Sequence, residues 1–445
     1  VAGVAVYRGE FGAAQAERLL WRAGFGPRKG EAEALAARGL DGAVKALTRP
    51  GAEKLVGPAP TDEKGRPLAP YDAWGHDHTW WLDRMVRTSR PLVERMTLVW
   101  HDWFATSNDG VGSQRLMLKQ NQLFRDHAFG SFDKLLLDVT RDPAMLLWLN
   151  GSDNSKWSPN ENYAREMMEL FTLGAAHGYT EEDVRQQARA LTGFRNSWRD
   201  GVGPTDFRYD PKAHDIGVKT IFRKRGAFDW HDSVRLAVTH PAHPQFLVTK
   251  LWTYFVGAAP DTATVDALAR TYVAGKRNVR PVLEAILGHP ALYDGPRLVK
   301  SPAVYTAGLL RRLGAPIKTT AWSWLGGMSG QMLFYPPNVA GWDDSRWLDT
   351  ATFRGRWWTA QQVLSPFALD PGKAKQPYDA AQLVDNAVAF WNHPALTGAT
   401  RTALHRFAQA ALADADASWK KRQFPVLAQN ALRHLIAVSP DLQAA

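Results

Sequence analysis

The stretch Asn160-Glu-Asn-Tyr-Ala-Arg-Glu-Met-Met-Glu-Leu-Phe-Thr-Leu-Gly174 limits the fold more than any other part of the chain. At roughly 100° per residue, Asn162, Arg165, Glu166 and Glu169 share one narrow polar wedge, while Tyr163, Met167, Met168, Leu170 and Phe171 cover the rest of the circumference. A helix that is apolar on most sides must be buried on most sides, so this one predicts a large helical body around it. Asn160, behind Pro159, suits the N-cap, Glu161 suits the positive end of the helix dipole, and Gly174 supplies a stop.

The remaining pattern agrees with a mainly α fold, a large irregular multi-helix domain. Helical spacing runs through 13–22 and 31–48, restarts near Trp74, and continues from Pro91 through Val93, Met96, Val99, Trp100 and Trp103, with Glu94 and His101 on one face. Thr180-Glu-Glu-Asp183 opens another helix with Thr as N-cap and an acid three residues on, and Arg185, Arg189 and Thr192 line one stripe of it. The Pro- and Gly-rich segment 51–70 reads as a surface loop. Residues 205–222 read as a small β-hairpin flap turning around Asp210–Gly217. Tyr335-Pro-Pro-Asn-Val-Ala-Gly-Trp342 is too constrained for helix, so 331–350 is expected to wrap a surface. The main helical domain is then 1–365, with a helical C-terminal segment, 366–445, packed on the same body.

With 445 residues, a sizeable core is assured. The chain has no cysteine, which removes disulfides, thiolate zinc sites and a Cys nucleophile, so any metal would need His, Asp and Glu. Lys and Arg outnumber Asp and Glu by 54 to 44, a +10 balance that suits an anionic partner. The basic residues are scattered and no basic-aromatic module is present, which makes nucleic acid an unlikely partner. No run approaches the ~20 apolar residues of a membrane span. A Gly-x-Ser-x-Gly elbow, a Walker loop and a His-Glu-x-x-His pair are all missing.

Several stretches together resemble the bacterial family known as domain of unknown function 1800. They are Leu20-Trp-Arg-Ala-Gly-Phe-Gly-Pro27, Trp100-His-Asp-Trp-Phe-Ala-Thr-Ser107, Asp142-Pro-Ala-Met145, the Asn160–Gly174 stretch, Tyr179-Thr-Glu-Glu-Asp-Val184, Ala188-Arg-Ala-Leu-Thr-Gly193, His214-Asp215 with Lys219, and Pro337-Asn-Val-Ala-Gly-Trp342. The resemblance implies an exported protein, extracytoplasmic in the periplasm, at the cell surface or secreted. It assigns no activity. No leader of the basic-then-apolar kind stands in this sequence. Where the family often carries His-x-His-Phe, this chain has His101-Asp-Trp-Phe104, which weakens a paired-His metal site and leaves Asp102 as a substitute carboxylate.

The chemistry expected first is hydrolysis or lytic cleavage of a polymer, most naturally a glycan, by carboxylates. Glu166 and Glu169, one turn apart, allow one acid to keep its proton while the other stays charged. Since two acids on one helix usually sit nearer than the ~5–9 Å of a glycosidase, Asp183 or Asp215 is the alternative second acid. His101 and Asp183 complete the candidate catalytic set. Asn160, Glu161, Asn162, Arg165, Arg189, His214, Asp215, Lys219 and Trp342 form the candidate set for contacts with a polymeric or anionic small-molecule substrate. The plain alternative makes Glu161–Arg165 and Arg165–Glu169 surface helix pairs worth about 0.2–0.5 kcal/mol each. A metal centre of Glu166, Glu169, His101 and His214 is a second reading, although the usual Glu-x-x-His pair is missing. A third is a Trp-rich scaffold that binds a polymer without cutting it. No metal ligand set or cofactor is assigned, and the oligomeric state is left open.

Overall fold

Pro91 begins the helix that divides the molecule. Every residue of Pro91–Trp103 except Asp102 is buried. A proline at the first helical position costs no hydrogen bond there, and its fixed φ suits the helix. Leu92, Val93, Met96, Val99, Trp100 and Trp103 join one hydrophobic core, while Leu98 joins a second. The computed structural model describes residues 3–175, 178–377 and 379–445.

The first core gathers the N-terminal helices, the middle of the chain and the helices up to Pro290–Tyr293. The second packs Trp81, Met85, Leu309 and Phe334 against Leu383, Val384, Leu432 and Ile436. The segment after residue 365 thus contributes side chains to this core. Residues 51–70 form no helix, and Leu55 and Val56 stay exposed, as a surface loop requires. The 331–350 stretch wraps the second core through Leu333, Phe334 and Trp342, with one 3-10 turn at Asp344–Arg346.

The mainly α class is confirmed, and the strand elements among the described residues are two small antiparallel hairpins. Their placement corrects the expected flap. Phe194–Arg199 pairs with Gly203–Tyr209, and Lys219–Ile221 pairs with Lys224–Gly226. The first turn falls at 200–202 because Gly201 and Gly203 take positive φ there (73° and 91°), which costs glycine little. The expected turn around Asp210–Gly217 is instead a connection. Asp210 accepts a hydrogen bond from the Lys212 N–H and starts a 3-10 turn, Pro211–Ala213.

The central stretch is also not one continuous α-helix. An α-helical turn, Asn162–Glu166, passes into a π-helical segment, Met167–Thr172, whose last bond runs from Leu173 N–H to Met168 O (2.8 Å). Gly174, at φ +88°, ends it as expected. Asn160 sits just outside the helix, its side chain accepting from the Asn162 N–H (2.9 Å), so it shapes the entry turn.

Candidate functional site

The π-helical segment leaves three successive carbonyls for outside donors, and each finds one. Lys250 Nζ donates to Leu170 O (2.9 Å), Trp103 Nε1 to Phe171 O (3.1 Å), and His243 Nδ1 to Thr172 O (2.9 Å). Two donors come from the His243–Thr253 helix and one from Pro91–Trp103. A cation at the negative end of a helix is favourable in itself. π turns are rare and recur at functional sites.

Along the polar wedge, nearly every charge is committed except two. Arg165 bridges Glu161 (3.1 Å) and Glu181 (2.7 Å) and so ties this helix to Glu181–Ala190. Asn162 donates to Asn150 Oδ1 (3.0 Å). Glu166 and Glu169 have no hydrogen bond or ion pair among the described residues, and both are only partly exposed. Burial raises the Glu166 carboxyl above the ordinary range, and the neighbouring Glu169 charge raises it further, against a smaller opposing effect of Arg165.

Asp183, a candidate second acid, is occupied with structure. It completes the Thr180 capping box and accepts from the Phe222 N–H (2.7 Å), tying the second hairpin to the helix start. Arg189, His214, Asp215 and Lys219 do come together, as a lock. Arg189 pairs with Asp215 (2.7 Å), and His214 Nδ1 meets Thr192 O (2.9 Å). Lys219 Nζ donates to Asp215 O and to Gly217 O (3.0 Å). Burial would raise the Asp215 carboxyl, yet the Arg189 guanidinium holds it below its usual range, while burial lowers His214 and Lys219.

His101 lies apart from these groups. Its ring packs among Trp81, Phe334, Trp342 and Phe124, its Nε2 has no partner among the described residues, and burial pushes it down to about 3. It is a neutral core imidazole, and it does not pair with Glu94. Glu94 is held by Arg84 (3.1 Å), Arg125 (2.6 Å) and the Trp81 indole N–H (3.2 Å). Among the described residues, no three His, Asp or Glu side chains are grouped to share a metal ion, so the structure does not assemble Glu166, Glu169, His101 and His214 into one centre.

A cluster that the sequence reading only touched stands at the end of the Pro91–Trp103 helix. Asp102 accepts from Tyr254 OH (2.7 Å) and from the Trp342 N–H (3.0 Å). Lys250 lies over the Trp103 ring, 4.5 Å from its centroid. Burial drives Lys250 down to about 8, with Asp102 opposing, and drives Asp102 and Tyr254 upward. The sequence offers Asp102 as a carboxylate. It gives no sign of Tyr254, and the signal for Lys250 is a lone Lys in the apolar run Phe246-Leu-Val-Thr-Lys-Leu-Trp252. Lys250 links this cluster to Leu170, the residue after Glu169. Trp342 enters the site through its backbone, with its ring against His101.

Fold and site together define a class: a mainly α protein with two large hydrophobic cores, in which a π-helical turn is held by a buried lysine that also lies beside a buried Asp–Tyr pair. The chain belongs to the family described as protein of unknown function DUF1800, whose model matches residues 18–444. No curated protein and no solved structure is significantly similar to it.

Proposed function

We propose that this protein is an extracytoplasmic enzyme that cleaves a polymer, with a glycan as the best-suited class, through acid/base chemistry at Glu166 and Glu169. The observation that carries this reading is the carboxylate pair itself. It is half-buried and, among the described residues, unpartnered on a helix whose Arg165 and Glu161 are paired, and one member is pushed toward its protonated form by burial and by the other. Environments that separate two acids in this way divide the roles of acid and base between them.

In hydrolysis, Glu166 gives its proton to the leaving oxygen as the glycosidic bond breaks. Water adds to the sugar carbon and yields its own proton to Glu169. Trp157 and Trp198, each 71% exposed, stand on the loop before the helix and on the first hairpin. That loop and hairpin are joined, since Arg195 donates to Ser152 O (2.7 Å) and Gly193 N–H to Asn154 O (3.1 Å). Flat exposed rings of this kind stack on sugar faces, and the +10 charge suits an acidic polymer. The same two rings favour a second reading, a binding protein that holds a polymer without cutting it.

The test is a panel of neutral and acidic polysaccharides, followed by chain length and new reducing or unsaturated ends. The expected result is shortening of at least one polymer by the wild type, loss of at least a hundredfold in rate with Glu166→Gln or Glu169→Gln, and retained binding by both variants. Full activity in both variants overturns the assignment. Binding without shortening in every protein favours the scaffold.

A further inference from the structure

A cleft of about 440 Å³ lies between the first helix, Ala13–Arg22, and the last residues of the chain, with Glu17, Trp21, Arg297, Lys300, Arg312 and Asp441 in its walls. Its wall carries Trp21 and Pro27 of the Leu20–Pro27 motif and the following Arg28, none of which the proposed carboxylate chemistry uses. The Trp21 ring is held in place from two sides. A Cβ on Gly26 or Gly308 would come within 2.7 or 2.2 Å of it, so both positions admit only glycine while the ring stays where it is.

Charge in the cleft is unbalanced. Arg18, Arg28, Arg297, Lys300 and Arg312 face it, against Glu17, Glu33 and Asp441. Two of those acids are already engaged, Glu17 by Arg312 (2.9 Å) and Asp441 by Arg297 (3.0 Å). Lys300 is only 6% exposed, and its ammonium sits 3.7 Å from the centroid of the Trp21 ring. One carbonyl, Leu442 O, accepts from it at 2.8 Å, and among the described residues no carboxylate is within ion-pairing distance. Arg312 is buried as well, and its Nε has no partner. Burial, together with Arg312 and Arg297, pushes Lys300 well below the ordinary lysine range, with Glu17 opposing. Of these two buried cations only Arg312 has a carboxylate partner, Glu17; holding Lys300 beside it with none is costly, and an anion entering the cleft would relieve that cost.

We propose that this cleft is a binding site for a small molecule bearing oxyanions, with Lys300 and Arg312 meeting the anionic group and the Trp21 ring forming the wall. Phosphates and polycarboxylates share the chemistry that such donors recognise. The site is separate from Glu166 and Glu169 and does not depend on the reading given for them.

The test is calorimetric titration of the full chain at low ionic strength with sodium pyrophosphate and, in a separate arm, sodium citrate. The wild type is expected to bind at least one of them with one-to-one stoichiometry, and the arm that saturates tells phosphate from carboxylate preference. Lys300→Met is expected to abolish binding. Arg297→Gln, at a half-exposed rim position, should weaken it about tenfold, because it removes one cation from the cleft and leaves the Asp441 carboxylate uncompensated beside the anion. Glu166→Gln should bind as the wild type does. Absence of saturable binding in both arms overturns the proposal, as does unchanged affinity in Arg297→Gln and in a folded Lys300→Met. If Lys300→Met does not fold, Arg297→Gln alone decides.

Discussion

The side chain of Asp102 accepts the backbone N–H of Trp342 at 3.0 Å, joining two sequence motifs 240 residues apart. Gly341 makes this approach possible. A Cβ there would come within 2.4 Å of Asp102 Oδ1, and the residue has φ +96°. Gly341→Ala therefore combines a clash with a left-handed backbone, and the expected cost is about 1–3 kcal/mol, read as a lower urea midpoint. Asp102→Asn keeps an acceptor for Trp342 and should lose little stability. Asp102→Ala leaves both the Trp342 N–H and the Tyr254 hydroxyl unpaired and should lose about as much as Gly341→Ala.

Glu94 offers a sharper stability prediction because it is fully buried between two arginines. Burial alone would raise its carboxyl, but the hydrogen bonds and charges of Arg125 and Arg84 outweigh burial and hold it below the ordinary glutamate range. Its stabilisation is therefore present above the unfolded glutamate value and is lost as pH falls through the lower folded value. Glu94→Gln takes the carboxylate from Arg125 and leaves Arg84 with Glu53 alone, and a loss of about 3–5 kcal/mol is expected in denaturant unfolding at pH 7. A loss below about 1 kcal/mol would show that solvent compensates the arginines.

Three buried imidazoles set an acid limit. Burial lowers His78 and His101 to about 3 and His243 to about 4, whereas an unfolded histidine takes a proton near 6.5. Between those values the unfolded chain binds more protons, so stability must fall as pH drops from about 6.5 toward 4. His101 isolates the effect, since its Nε2 is unpartnered and its neighbours are aromatic. Thermal unfolding should show His101→Phe within about 1.5 kcal/mol of the wild type at pH 7 and declining less between pH 6.5 and 4.5. Parallel declines would contradict the neutral core imidazole.

The helical frame was legible because its signals are local. Pro91 starts a helix, the Thr180 and Asp183 pair caps one, and Gly174 stops one, all within a few residues of sequence. The π turn was not legible, because the donors that hold its carbonyls, Trp103, Lys250 and His243, lie 68 or more residues away. The first hairpin was misplaced because the β-like residues around Tyr209 and Ile221 belong to two different ladders. The capping role of Asp183 is legible in sequence, but its second hydrogen bond, from the Phe222 N–H, is not, and the two together occupy the acid. For the carboxylate pair, residue type and spacing were visible, whereas partial burial and the lack of partners required the fold.

Carboxyl-carbon NMR titration of Glu166, in the wild type and in Glu169→Gln, tests the account most directly. The account predicts that Glu166 titrates above the ordinary glutamate value of about 4.3, because burial and the Glu169 charge both favour its protonated form, and that Glu169→Gln moves it down. A Glu166 that titrates at the ordinary value and ignores the loss of Glu169 would contradict it.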